Sequence, residues 1–200
     1  MDTIIVACDT PDRRLLHQLA GLLHSYCTPA VTDSEEIQIA EHADLLLCRA
    51  ENNCQIDGAG SVLILGEHCP AHPLLSVRGC RRVIFPAQNT ACAALAASLG
   101  IAGLDCGLSL RDTLTLSSRT DSRAVVSLQR PIENLSGRRV EPCELPLCAP
   151  RDISPHTLLC CAGVCILTGV LEDREPSSEG LSPPAGSPAL LPSRGIGHSR

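Results

Sequence analysis

The sequence predicts an α/β fold: a mostly parallel sheet covered by helices on both faces, an antiparallel hairpin after the last parallel strand, and a disordered C-terminal tail. Three observations predict it. Up to Gly100, short and almost continuously apolar runs alternate with stretches of helical spacing, the pattern of strands buried on both faces by crossover helices. Beyond Gly100, Thr113–Ser117 alternates polar with apolar and Ala124–Leu128 is mostly apolar, with a polar turn between them, which is a hairpin signal. From residue 173 the chain is rich in Pro, Ser and Gly without periodicity, a composition that cannot bury enough apolar surface to order itself.

Thr3 to Cys8 is β-branched and apolar and reads as the first strand, stopped by Asp9-Thr10-Pro11, a helix-start signal. Leu15, Leu16, Leu19, Leu22 and Leu23 then recur at helical spacing, opposite Arg13, Arg14, Gln18 and Ser25. A strand over 30–32, a short helix over 34–41 and a strand over 43–48 follow. Ser61–Leu65 and Arg82–Phe85 are two further apolar runs bounded by Gly and Pro. NTACAALAASLG, from Asn89 to Gly100, reads as an alanine-rich helix with a glycine stop. Arg139-Val140 and Glu144-Leu145 supply an edge strand, interrupted by Pro142 and Pro146. Ser154 to Leu171 begins Ser-Pro and is apolar nearly all round. That describes a buried helix, too short in its apolar core for a membrane span. Residues 1–172 are thus expected to form one α/β domain, with 1–80 and 81–172 as two subregions of one sheet, and 173–200 the tail.

Composition narrows the chemistry. With 44% apolar residues but no Trp, one Phe (Phe85) and one Tyr (Tyr26), the core must be aliphatic and cysteine-rich. All 16 basic residues are Arg. Without lysine there is no Schiff base, no phosphate-loop lysine and no carbamylated lysine. A net charge of −6 and the lack of aromatic platforms argue against nucleic-acid binding. The start MDTIIVACD lacks a basic region and a long apolar core, so no signal peptide is expected. The 13 cysteines then read as small buried hydrophobes in a reducing cytoplasm.

Motifs are sparse. No GxxxxGK[ST] occurs, and no GxGxxG follows a strand. His68-Cys69-Pro70-Ala71-His72 follows the Ser61–Leu65 strand, where a parallel sheet places its ligands. His68, Cys69 and His72 are therefore the candidate metal ligands, against a plain surface loop. No CxxC pair and no GxSxG elbow are present. Asp105, Cys106 and Asp112 stand at the junction between a strand end and the hairpin, and with Asn89 they form the candidate ligand-binding edge.

From Arg82 the chain runs VIFPAQN, a helix to Leu99, IAGLDCG, LSLRDTLTLSS, AVVSLQR, VEPCELPL and a helix ending LTGV. This succession up to Val170 resembles the second half of the central domain of the Mur ligases, the ATP-dependent amide-forming enzymes that add amino acids to peptidoglycan precursors. The resemblance implies polar site positions at Asn89 and Asp112. It also places that family's His-Asn-x-x-Asn motif on Ile153, Ser154 and Thr157, where it is lost. With the phosphate loop missing upstream, the resemblance implies a shortened, non-catalytic relative.

The sequence-level expectation is therefore a cytoplasmic, non-catalytic binding or accessory protein linked to cell-wall precursor metabolism. No cofactor is expected, and the expected partner is a protein or small molecule, with no nucleic acid and no membrane span. The alternative is a thiol- or metal-dependent enzyme using the His68/Cys69/His72 loop or Cys106.

Overall fold

The computed structural model describes residues 1–8, 12, 14–33, 37–38, 41–50, 55–69 and 76–171. The Asp9-Thr10-Pro11 helix start, His72 and the tail expected over 173–200 lie outside them.

In chain order the elements are β1 (Asp2–Ala7), α1 (Leu15–Leu23), β2 (Pro29–Thr32), β3 (Ile37–Gln38), β4 (Leu45–Ala50), β5 (Gln55–Asp57) and β6 (Val62–Leu65). Then come β7 (Ser76–Arg78), β8 (Arg82–Pro86), α2 (Thr90–Leu99), β9 (Ala102–Gly107), β10 (Leu114–Arg119) and β11 (Arg123–Leu128). The last are β12 (Ile132–Glu133), β13 (Arg139–Val140), β14 (Cys143–Cys148) and α3 (Pro155–Thr168).

A ten-stranded sheet runs β14-β11-β10-β9-β8-β6-β1-β4-β2-β3. Every pair from β10–β9 to β4–β2 is parallel, whereas β11 and β14 are added antiparallel at one edge and β3 at the other. Strands from both halves of the sequence thus share one sheet. The expected parallel core with a terminal hairpin is what forms, and both hairpin arms reach further into the polar turn than the sequence pattern marks.

Side chains along each central strand alternate between two cores, as a pleated strand requires. Ile4 and Val6 of β1, Val62 and Ile64 of β6, and Ile84 of β8 face α1 and α3. Ile5, Ala7, Leu63, Leu65 and Val83 face Cys92, Leu95 and Ala96 of α2. Helix α3 packs on β8, β9, β10, β11 and β14 from one side and on α1 from the other. That enclosure explains its apolar circumference: every residue from His156 to Leu167 is buried. No helix among the described residues is long and apolar enough to cross a membrane.

Two elements differ from the sequence reading. The helix expected over 34–41 is not formed at Ile37–Gln38, which is instead a short strand on β2. Arg139–Val140 does not join the main sheet but pairs with β12, while β14 takes the edge with Pro146 inside it. Proline is tolerated there because a strand with no outer neighbour has no ladder bond to lose on that side. Tyr26, just beyond α1, fastens this edge by accepting a hydrogen bond from the Cys148 amide at 3.0 Å through its hydroxyl.

Candidate functional site

In a parallel sheet, loops at the carboxyl ends of the strands converge, and ligands are bound there. Here β1, β6, β8 and β9 deliver Asp12, Glu67 and His68, Asn89, and Asp112 to that edge, and the N-terminus of α3 closes over it. Two adjoining cavities result. One of about 190 Å³ lies among Asp12, Gln18, His68, Ser154 and Thr157. Another of about 150 Å³ lies among Pro86, Gln88, Cys106, Leu108 and Leu159. Both are lined by Glu67 and His156.

Asp12 is the anchor of the first cavity. Its side chain is only 8% exposed. One oxygen accepts the His68 amide and the other meets His68 Nδ1, both at 2.8 Å. The space it fills exists because residue 66, the exit of β6, is glycine: a Cβ there would overlap the Asp12 carboxylate. The same device recurs at the exit of β9. A Cβ on Gly107 would overlap the carboxylate of Asp112, which accepts the Ser109 amide at 2.9 Å and shapes the turn into β10. Close backbone approach is the physical reason for glycine at both strand exits.

Asn89 fastens the β6 loop to α2. Its side-chain oxygen accepts the Ala91 and Cys92 amides, capping the helix, and its amide group donates to the Glu67 and Cys69 carbonyls. Asp105 faces the other side of β9 from Cys106 and accepts a hydrogen bond from Thr113 Oγ1. Cys106 is 3% exposed and looks toward α3, where burial and then the neighbouring Cys160 push its thiol upward. The structure therefore brings Asn89, Cys106 and Asp112 to one edge, with Asp105 behind it.

The His68–Cys69 pair is split. His68 stands in solvent against Asp12, whereas Cys69 is buried beneath α2 near Cys92, whose thiol is pushed up by their mutual contact and by burial. Among the described residues no three His, Cys, Asp or Glu side chains converge as a metal site.

Sequence reasoning missed Asp12 and His156. His156 is 4% exposed, lies 3.0 Å from the Leu65 carbonyl through Nε2 and 3.5 Å from Cys160 Sγ. A carbonyl only accepts, so the ring proton sits on Nε2 and Nδ1 is the acceptor. Desolvation holds the imidazole below its ordinary pKa despite that bond, and burial pushes the Cys160 thiol up. The pair is thus neutral imidazole and neutral thiol. The available signal was a lone histidine on an otherwise apolar helix, since a buried polar group is more informative than any apolar one.

His68 is perturbed the other way. The hydrogen bond that His68 donates to the Asp12 carboxylate, and then that carboxylate's charge, raise the imidazole above its ordinary pKa. Histidine titration by NMR is expected to show His68 above about 6.5, returning to that value in Asp12→Asn. An unchanged titration in the variant refutes the pairing.

The fold, taken without its side chains, matches part of two solved structures. MurF from Acinetobacter baumannii superposes with a TM-score of 0.51 at 10% identity, covering 88% of this chain and 47% of that one. A MurF ligase from Thermotoga maritima, solved in complex with ADP, gives 0.50 at 9% identity, covering 87% and 46%. The chain spans less than half the length of these structures. It has the fold of a partial Mur-ligase-like domain. No protein-family model matches it, and no curated protein matches its sequence.

Proposed function

We propose that this Mur-ligase-like fold serves as a cytoplasmic, non-catalytic binding or accessory module, tied to cell-wall precursor ligation by its fold. Fold alone does not carry an activity, so the reading rests on the strand-exit cleft. The observation that carries it is the Asp12 carboxylate, wedged against Gly66 at the exit of β6 with Glu67 beside the same cavity. A polyphosphate needs backbone amides and a cation at such a place. Here it would meet carboxylates, and a unit charge about 4 Å from another like charge costs about 1 kcal/mol in water and about 4 kcal/mol near a protein surface. The chain has no lysine to offset this, and of the two basic side chains lining the cavity, Arg14 and His68, the second is already paired with Asp12.

What the cleft offers instead is hydrogen bonding: Gln18, Ser154, Thr157 and the His156 imidazole. A neutral, hydroxyl- or amide-rich ligand suits that set. The thiol-dependent alternative draws no support from Cys69 and Cys106, both buried.

The test is calorimetric titration of the purified chain with Mg-ATP, with phosphate release followed in parallel. No saturable heat and no turnover are expected. A stoichiometric isotherm or measurable hydrolysis overturns the reading.

A further inference from the structure

His156 is 4% exposed, yet it lines both cavities of the strand-exit cleft. Among the described residues its hydrogen bonds run through Nε2, to the Leu65 carbonyl and to Cys160. With the ring proton on Nε2, the polar atom left to the cavities is Nδ1, an acceptor that no protein group donates to. Buried polar atoms are as a rule paired, so one without a donor calls for a partner. Glu67 is the other side chain common to both cavities, and its carboxylate also only accepts. The place the cavities share therefore holds two acceptors and asks for a group with two N–H or O–H donors.

The charges decide whether that group is ionised. Arg14 and His68 stand in the first cavity together with Asp12 and Glu67. A charged head of either sign would meet its own sign there, whereas a neutral one meets hydrogen-bonding partners. Gln18 takes the Thr157 hydroxyl on its side-chain oxygen at 3.5 Å, which leaves its amide N–H groups as donors to a carbonyl.

The second cavity decides what the group is attached to. Leu108, 60% exposed, and Pro155, also exposed, line it in front of the buried Cys106 and Leu159. At about 150 Å³ it matches the size of an apolar cavity that takes up one benzene ring.

We propose that the strand-exit cleft binds a primary carboxamide carried on a short apolar group. The –NH2 donates to His156 Nδ1 and to the Glu67 carboxylate, the carbonyl accepts from Gln18, and the apolar group covers Leu108 and Pro155. This rests on the reading of the cleft as a binding site and names the ligand class for it.

Phenylacetamide joins a ring of the right size to a primary amide through one methylene. The intact chain would be titrated with it and with three relatives: N,N-dimethylphenylacetamide, which has no N–H, phenylacetate, an anion, and phenethylamine, a cation. Imidazole nitrogen shifts of His156 and methyl shifts of Leu108 follow binding by NMR. Saturable binding of phenylacetamide is expected, at least about tenfold tighter than that of any relative. The Nδ1 resonance of His156 should move as that atom accepts a hydrogen bond. Leu108→Ser, at an exposed position, should weaken binding about threefold or more without moving the unfolding midpoint. Absence of saturable binding overturns the proposal, as does a stationary Nδ1 resonance or equal affinity for the dimethyl amide. Tighter binding of phenylacetate or phenethylamine overturns the neutral assignment. If neither Mg-ATP nor phenylacetamide binds, the ligand class falls and the accessory reading stands. A Mg-ATP isotherm overturns that reading whatever phenylacetamide does.

Discussion

Gly163→Leu is expected to lower the stability of the fold by about 3 kcal/mol, the upper end of the usual range for overpacking a core. Helix α3 lies so close to the sheet at this residue that a Cβ would sit 2.8 Å from Ile84 Cδ1 and 3.1 Å from Leu114 Cδ1. Both neighbours are fully buried, and they sit on β8 and β10, so neither can move without disturbing the strands beneath. Alanine asks less: one methyl against a flexible isoleucine tip, offset by about 1 kcal/mol of helix propensity. Gly163→Ala should therefore stay within about 1 kcal/mol of the parent, and the steep step should come with the longer side chain. Urea unfolding midpoints measure both. Ile84→Val combined with Gly163→Leu should recover part of the loss, a coupling expected only of residues in contact. An unchanged midpoint in Gly163→Leu would mean that α3 stands farther from the sheet.

That contact also shows what the sequence could convey. The apolar runs at 3–8, 61–65 and 82–85 declare strands buried on both faces, because successive apolar side chains point to opposite sides of a strand and neither side is left for water. Nothing in a run of Ile, Val and Leu specifies its neighbour in the sheet, so the order β8-β6-β1-β4-β2 was not legible. Leu63 and Ile64 look equivalent in sequence and belong to opposite cores. The site was legible only where a residue type is itself unusual. Asn89 before an alanine-rich helix announces a cap, and Asp112 beside a hairpin announces a turn, and the structure uses both in that way. Asp12 carried no such mark, since its role depends on Gly66, distant in sequence and adjacent only once β1 and β6 pair. His68 and Cys69 looked like joint ligands because sequence proximity hides that successive side chains can diverge, one to solvent and one beneath α2.

His156→Ala is expected to produce the second large effect, with a pH signature that separates it from simple loss of packing. At neutral pH the variant leaves the buried Leu65 carbonyl without the His156 donor, a loss of about 1–3 kcal/mol, and removes a side chain that lines both cavities. The parent carries a further dependence. His156 is held below its ordinary pKa by burial, so between that folded value and about 6.5 the unfolded chain binds the extra proton. Stability should therefore fall as pH drops from about 6.5 through the depressed folded value. His68 has the opposite sign: its raised pKa contributes stability that is present below about 6.5 and is lost as pH rises through the folded value. The charges facing His156 are Asp12 and Glu67, and they are too weak to reverse its desolvation. Unfolding midpoints measured from pH 5 to pH 8 should thus be flatter on the acid side in His156→Ala than in the parent. In Asp12→Asn, the basic-side loss due to His68 should vanish. His156→Gln, which can still donate to Leu65, should regain part of the neutral-pH stability without regaining the acid slope. An acid slope that survives in both His156 variants would place the titrating group elsewhere and overturn the reading of His156 as a buried neutral imidazole.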